Sequence, residues 1–259
     1  MNDDELKFVA RHYEQGTLDP EKAYRSFTDL TGYHAQRPIY RWLAAAAVML
    51  LLVGVGTLYL LHEPTTTLAA DATQRTFRLD DGTEVVLAPH ASLSYEGTYS
   101  RKVSVSGRAY LKIRHDASRP FTIEGSGYLV RDIGTQIEIN ADDASTDVYV
   151  AQGSIYFASP RSAKQGVVMQ EGSRAVLEAE AVRPRMLAQP SPNRVAWATH
   201  QFRFHNAALP DVLRDLSAYY HVRLTCTDTD KRLTGNFNTD SLSTIVNVIE
   251  HTLDVDIQP

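Results

Sequence analysis

Few residues in this chain have the types and spacing that chemistry requires. His200 with His205, and His221 with Asp228 and Asp230, are the nearest approaches to a metal-ligand set, but neither has the spacing of a known site. Surface histidines in strand ends and turns account for them better. Cys226 is the single cysteine, so no internal disulfide can form. With no Cys/His signature around it, it reads as a small buried hydrophobe. There is no G-x-S-x-G and no Walker loop, and Gly125-Ser126-Gly127 has the form of a hairpin turn. Conventional enzymology is unsupported, and no cofactor is implied.

The elements around these residues are more informative. Trp42–Leu61, WLAAAAVMLLLVGVGTLYLL, contains no ionisable side chain. Roughly 20 apolar residues at 1.5 Å each span a hydrocarbon core of about 30 Å. The Leu and Val residues favour insertion by about 3–6 kcal/mol before Gly54, Gly56 and Thr57 are subtracted. Ala70 and Ala72 make an A-x-A-like site, but the segment before the run is too long, the run too extended and the site too distant for a cleaved signal peptide. An uncleaved anchor is expected. Lys22, Arg25, Arg37 and Arg41 precede it, and positions 62–74 contain no Lys or Arg, which keeps the N-terminus in the cytoplasm. Tyr40, Trp42 and Tyr59 fall where interfacial aromatic belts are expected. Net charge is −5 over 259 residues and the basic residues are scattered, so direct nucleic-acid binding lacks its electrostatic footprint.

Positions 1–41 are expected to form a helical cytoplasmic head. Leu6, Val9, Ala10 and Tyr13 share one face of a first helix, and Ala23, Tyr24, Phe27 and Leu30 one face of a second. Asp19 is placed to cap the second helix, Pro20 suits its first turn and Gly32 its end. Two short amphipathic helices shield each other poorly, so their apolar faces suit docking on a larger partner. The interleaved acids Asp3, Asp4, Glu5, Glu14, Asp19, Glu21 and Asp29 argue against a membrane-surface helix.

After a tether at 62–75, positions 76–181 alternate apolar and polar residues between turn signals. Phe77 and Leu79 lead into Asp81-Gly82, and Val85 and Leu87 follow it, as in a hairpin. Val103/Val105, Tyr128/Val130, Ile137/Ile139, Val148/Val150 and Ile155/Phe157 repeat the pattern. A mostly β domain, sandwich or roll, is expected. Pro184, Pro190 and Pro192 mark 182–199 as a semi-rigid linker. Over 200–259, strand pairs (Phe202/Phe204, Val222/Leu224/Cys226, Phe237, Val255/Ile257) and helical stripes (Leu209, Val212, Leu213, Leu216, Tyr220; Leu242, Ile245, Val246, Ile249, Leu253) give a small α+β module in the order β-α-β-β-α-β.

The succession FRLDDGTEVVLAPHASLSY, RKVSVSGRAYLKI, DASRPFTI, IGTQIEI and VAQGSIYF resembles the periplasmic domain of the FecR family of transmembrane anti-sigma factors and sigma regulators of Gram-negative bacteria. Gly107, Tyr110, Arg119-Pro120 and Gly134-Thr135 recur in the family's order. FHNAALPDVLRDLSAYYHVRL with LTGNFNTDSLSTIVNVIEHTL resembles the family's C-terminal domain, itself similar to the short N-terminal domains of secretins and TonB-dependent transducers. A complete last hairpin of that domain would extend beyond Pro259. Arg108 stands where the family commonly has an acid, and Gln136 where it has an aromatic.

The resemblance implies a single-pass inner-membrane protein with its C-terminus in the periplasm. Leu6, Val9, Tyr13, Tyr24, Phe27 and Leu30 would hold an extracytoplasmic-function sigma factor. The C-terminal module would meet the signalling domain of a TonB-dependent outer-membrane transducer, and membrane proteases could free the head. Some members cleave themselves at a Gly-Thr bond, and Gly134-Thr135 occupies the matching place; the Thr135 hydroxyl would attack the Gly134 carbonyl to give an ester that water opens. The competing reading is an envelope scaffold or glycan-binding protein whose head is only a tether.

Overall fold

The alternation of apolar and polar side chains is realised strand by strand between Arg75 and Glu178. The computed structural model describes residues 3, 4, 7, 11, 19–31, 39–61, 65–97, 101–125, 127–132 and 134–258, with side chains inside 39–61 described for 42–57. The chain divides into two compact units, Met1–His62 and Glu63–Pro259.

In the first unit, α1 (Pro20–Thr31) starts as its sequence dictates. Asp19 Oδ1 accepts the N–H groups of Glu21 and Lys22 at 3.0 and 3.2 Å, and proline fills the first turn, where no N–H is needed. No residue of α1 is buried. The second helix, α2 (Ile39–Leu61), has 23 residues and contains the whole apolar run. Thr57 Oγ1 donates to Val53 O at 2.7 Å, so its hydroxyl is satisfied within the helix. Among the described residues no helix is both long and apolar enough to cross a membrane; α2 is described through to its side chains only at 42–57. Leu6, Val9, Ala10, Tyr13 and Gly32 lie outside the described residues.

Among the described residues the second unit holds thirteen strands in one continuous, curled sheet. They are β1 (Thr65–Ala69), β2 (Arg75–Arg78), β3 (Glu84–Leu87), β4 (Ser92–Glu96), β5 (Lys102–Lys112), β6 (Phe121–Glu124), β7 (Leu129–Asp132), β8 (Gln136–Ala141), β9 (Ser145–Gln152), β10 (Ser154–Ala158), β11 (Val167–Gln170), β12 (Arg174–Glu178) and β13 (Arg185–Leu187). The eleven-residue β5 organises them. Its first half pairs with β4 and, in parallel, with β6; its second half pairs with β3 and β8. The strand passes from one half of the sheet to the other at Gly107, whose φ is +80° and where a Cβ would press on Ala91 Cα at 3.0 Å. β1, β4, β6, β7, β10 and β11 continue one half, and β2, β3, β8, β9, β12 and β13 the other. Every alternating pair read from positions 76–181 points into the core, with Leu87, Leu93, Leu111, Phe121, Ile123, Ile137, Ile139 and Phe157 fully buried. Each such side chain contributes about 1.5–3 kcal/mol.

Two boundaries differ from expectation. The tether is shorter, because Thr65–Ala69 pairs antiparallel with β4 and Ala70 N donates to Ala91 O. The proline-containing stretch is not a free linker. Arg185–Leu187 pairs with β12, and a 3-10 turn (Pro192–Val195) runs into the short helix α3 (Ala196–Thr199). The reason is apolar: Val195 and Ala198, with Trp197, cover Val86, Tyr110 and Tyr149 on the outer face of the sheet.

Beyond α3, β14 (Gln201–Ala208) pairs antiparallel with β15 (Arg232–Asn238). Against this ribbon pack α4 (Leu209–Tyr220) and α5 (Leu242–Leu253), with Phe202, Leu209, Val212, Leu216 and Ile249 fully buried. The expected second and last strands shrink to one bridge, Thr225 with Gln258. Of their apolar residues only Ile257 is deeply buried, so little burial holds a longer register.

Candidate functional site

The Gly134-Thr135 bond sits at the entrance to β8. Asp132 closes the turn before it: its Oδ2 accepts the N–H of Gly134 at 3.0 Å and that of Thr135 at 3.1 Å. Gly134 has φ +145°, a conformation that L side chains rarely adopt. A Cβ at this position would lie 2.6 Å from both Cα and Cβ of His115. Thr135 O accepts Ile113 N at 2.9 Å, and the Thr135 methyl packs on Gly153, where a Cβ would lie 2.6 Å from it. Thr135 is 4% exposed, yet its hydroxyl has no hydrogen-bond partner among the described residues, and neither has Asp132 Oδ1. Buried polar atoms of this kind cost about 1–3 kcal/mol each and are uncommon in native interiors; Arg101 Nε is another among the described residues. The geometry joins a crowded, positive-φ glycine to an unpaired hydroxyl on the next residue.

A few residues along β8, Glu138 is completely buried between the inward-facing Ile137 and Ile139. It faces the other side of the sheet, where Arg194 Nε (2.6 Å), Trp197 Nε1 (2.6 Å) and Arg108 (2.8 Å) all donate to its carboxylate. Arg108 also stacks on the Trp197 ring, 4.6 Å from its centroid, and donates to Arg194 O. Arg108 therefore helps hold the α3 segment against the β domain. Gln136 accepts from Tyr110 Oη at 2.6 Å and donates to Gln152 Oε1 at 2.7 Å, filling a polar niche beside the same contact. Burial pushes the Tyr110 hydroxyl up to about 12. Burial acts to raise the Asp147 carboxyl as well, but hydrogen bonds and charge from Arg174 and Arg194 prevail and hold it below the usual range.

The remaining sequence candidates are placed as follows. Tyr24, Phe27 and Leu30 lie on α1 at 54%, 55% and 87% exposure, so the described part of the expected docking face is uncovered. Cys226 is a free thiol packed against the core of the C-terminal module. His200 and His221 cap the C-termini of α3 and α4 in left-handed conformations. Among the described residues no group of three metal-ligating side chains comes together. In the C-terminal module Asn193 Oδ1 accepts Arg203 N at 2.7 Å, occupying part of the outer edge of β14. The ribbon has two strands, so the outer edge of β15 is the open one. Sequence reasoning missed Asp132, His115, Glu138, Arg194 and Trp197. An acid between two isoleucines of a core strand was the one readable signal among them.

A mostly β domain built on a curled sheet and held by a short helical segment to a small α+β module is the class of architecture these observations define. A family profile described as FecR protein matches residues 65–156, and a second, described as FecR, C-terminal, matches 201–258. The chain belongs to the FecR family. Two crystal structures of a protein provisionally described as an anti-sigma factor from Parabacteroides distasonis ATCC 8503, at 1.65 and 2.50 Å resolution, are similar to it. Each is 18% identical with a TM-score of 0.47; the first covers 75% of this chain and 94% of its own, the second 76% and 95%. No curated protein matches the chain.

Proposed function

We propose that the protein is a single-pass inner-membrane sigma regulator. Its cytoplasmic head would bind an extracytoplasmic-function sigma factor, and its exported modules would receive a signal from a TonB-dependent transducer of the outer membrane. The observation that carries the reading is α1: a capped amphipathic helix that buries none of its residues and leaves Tyr24, Phe27 and Leu30 open. A helix of 12 residues is marginal in water by itself, so its apolar face needs a partner to hold it. Membership of the FecR family supports the assignment. So does the sequence run Trp42–Leu61, which has no ionisable side chain and whose roughly 20 residues suit a hydrocarbon core of about 30 Å. The basic residues on its N-terminal side favour a cytoplasmic head. The open edge of β15 offers the transducer's signalling domain a place to add a strand.

The test is affinity capture of the tagged full-length protein from its native membranes with mass spectrometry of what is bound. A sigma factor that disappears when positions 1–36 are deleted supports the regulator. Envelope proteins or glycans alone, under several growth conditions, would instead favour an envelope scaffold.

A second activity is favoured by the Gly134-Thr135 geometry. The crowded positive-φ glycine and the unpaired buried hydroxyl suit self-cleavage, with Thr135 Oγ1 attacking the Gly134 carbonyl. The expected products are fragments ending at Gly134 and beginning at Thr135, and Thr135→Ala would form neither.

A further inference from the structure

The geometry points to Asp132 as the proton-transfer residue of the Gly134-Thr135 cleavage. This rests on the self-cleavage reading above. The carboxylate touches the atom that must leave: Oδ2 is 3.1 Å from Thr135 N, the nitrogen of the scissile bond. Its second oxygen, Oδ1, and the attacking hydroxyl, Thr135 Oγ1, are both buried and both without a partner among the described residues. The hydrogen bond from Thr135 N–H to Oδ2 ties the Asp132 carboxyl to the residue that carries Oγ1, although Oδ1 and Oγ1 are not hydrogen-bonded to one another. A turn alone would need only one carboxylate oxygen, and asparagine would close it equally well. Burying a second, unpaired carboxylate oxygen in a residue 3% exposed is unfavourable without a use for it. His115 is another titratable side chain at this bond, its Nδ1 2.7 Å from where a Gly134 Cβ would stand, but only Asp132 is hydrogen-bonded to the leaving nitrogen among the described residues.

The steps balance without any outside group except water. Thr135 Oγ1 transfers its proton to Asp132 Oδ1 as it forms a bond to the Gly134 carbonyl carbon, whose oxygen takes the negative charge. The tetrahedral centre collapses, the bond from Gly134 C to Thr135 N breaks, and Asp132 returns the proton to that nitrogen. The result is an ester between Gly134 and Thr135 and a free amine on Thr135. Water then opens the ester to the Gly134 carboxylate and the Thr135 hydroxyl. Oγ1 and Oδ1 need not be bonded beforehand, because catalytic hydrogen bonds often tighten only as the reaction proceeds.

The experiment follows fragment formation over time in freshly synthesised full-length chain, comparing wild type, Thr135→Ala and Asp132→Asn. Asparagine keeps an acceptor for both turn N–H groups but cannot take the proton. Asp132→Asn is expected to cut about a hundredfold more slowly, with an unchanged melting temperature. Hydroxylamine should trap the ester as a Gly134 hydroxamate in wild type and far less in the variant. Equal rates in wild type and Asp132→Asn, with Thr135→Ala inert, would overturn the role of Asp132 and leave self-cleavage standing. A wild-type chain that never cuts would remove self-cleavage and, with it, this role. If Asp132→Asn does not fold, the wild-type rate in deuterium oxide decides: about twofold slowing supports proton transfer in the limiting step, and no slowing overturns it.

Discussion

α1 and α4 are each twelve residues long, each with proline in the first turn and an acid beside it, yet they meet opposite fates. α4 buries Leu209, Val212, Leu213 and Leu216 against the β14–β15 ribbon and starts without a side-chain cap. α1 buries nothing and carries the Asp19 cap. Where tertiary packing covers the apolar stripe a cap is dispensable. Where nothing covers it, local hydrogen bonding must carry the helix until a partner arrives.

The strongest way to break this comparison is to remove the cover. Phe202→Ala takes the fully buried ring out from beside Tyr219 and Tyr220 of α4 and should cost about 3–5 kcal/mol in denaturant unfolding. A loss below about 1 kcal/mol would mean that packing on the ribbon is not what holds α4. The counterpart on α1 is Tyr24→Asp with Phe27→Asp. It should weaken sigma-factor binding by about a hundredfold, measured by titration calorimetry, while unfolding of Glu63–Pro259 stays unchanged. Undiminished binding would reduce α1 to part of a tether.

The α3 segment gives an intermediate case, held by charge as well as apolar cover. Glu138→Ala leaves Arg108 and the Trp197 N–H without their carboxylate, while Arg194 keeps Asp147 at 3.1 Å. Because those arginines are part-exposed, with side chains 39% and 21% accessible, the cost should be about 2–3 kcal/mol rather than that of a fully buried pair. Faster proteolysis within 182–199 would accompany it. The same contact has an alkaline signature. Tyr110 holds its proton to about 12, so the folded state binds that proton more tightly than the unfolded chain. This contribution is complete below about pH 10 and is lost as pH rises towards 12, which Tyr110→Phe should abolish in a pH series of melting curves. The smallest effect is expected for Asp19→Ala, which removes about 1 kcal/mol from α1 alone and should speed amide exchange across Pro20–Thr31 about fivefold.

Much of this architecture was legible because it depends on local periodicity. The hairpin around Asp81-Gly82, the inward pairs such as Ile137 with Ile139, the cap at Asp19 and the stripe of α4 each require only near neighbours in sequence. Thr65–Ala69 was misjudged as tether because Thr-rich sequence carries no alternation, and only its pairing with Ser92–Glu96 makes it a strand. The proline-rich stretch was misjudged for the opposite reason: its prolines break every period, while Val195, Trp197 and Ala198 find their cover across the fold.

The candidate site divides in the same way. The sequence by itself determined that Gly134 precedes Thr135 at the start of a strand, since a Gly-Thr pair before alternating isoleucines states that directly. Only the tertiary structure decided that His115 crowds the glycine, that Asp132 accepts a hydrogen bond from Thr135 N, and that the hydroxyl is buried without a partner among the described residues. It alone decided that Glu138, outward-facing by its period, is a fully buried carboxylate, because the residues that cover it arrive from more than fifty positions away. Periodicity reports which face of an element a residue occupies. What later lies against that face is set by long-range packing, which no local pattern encodes.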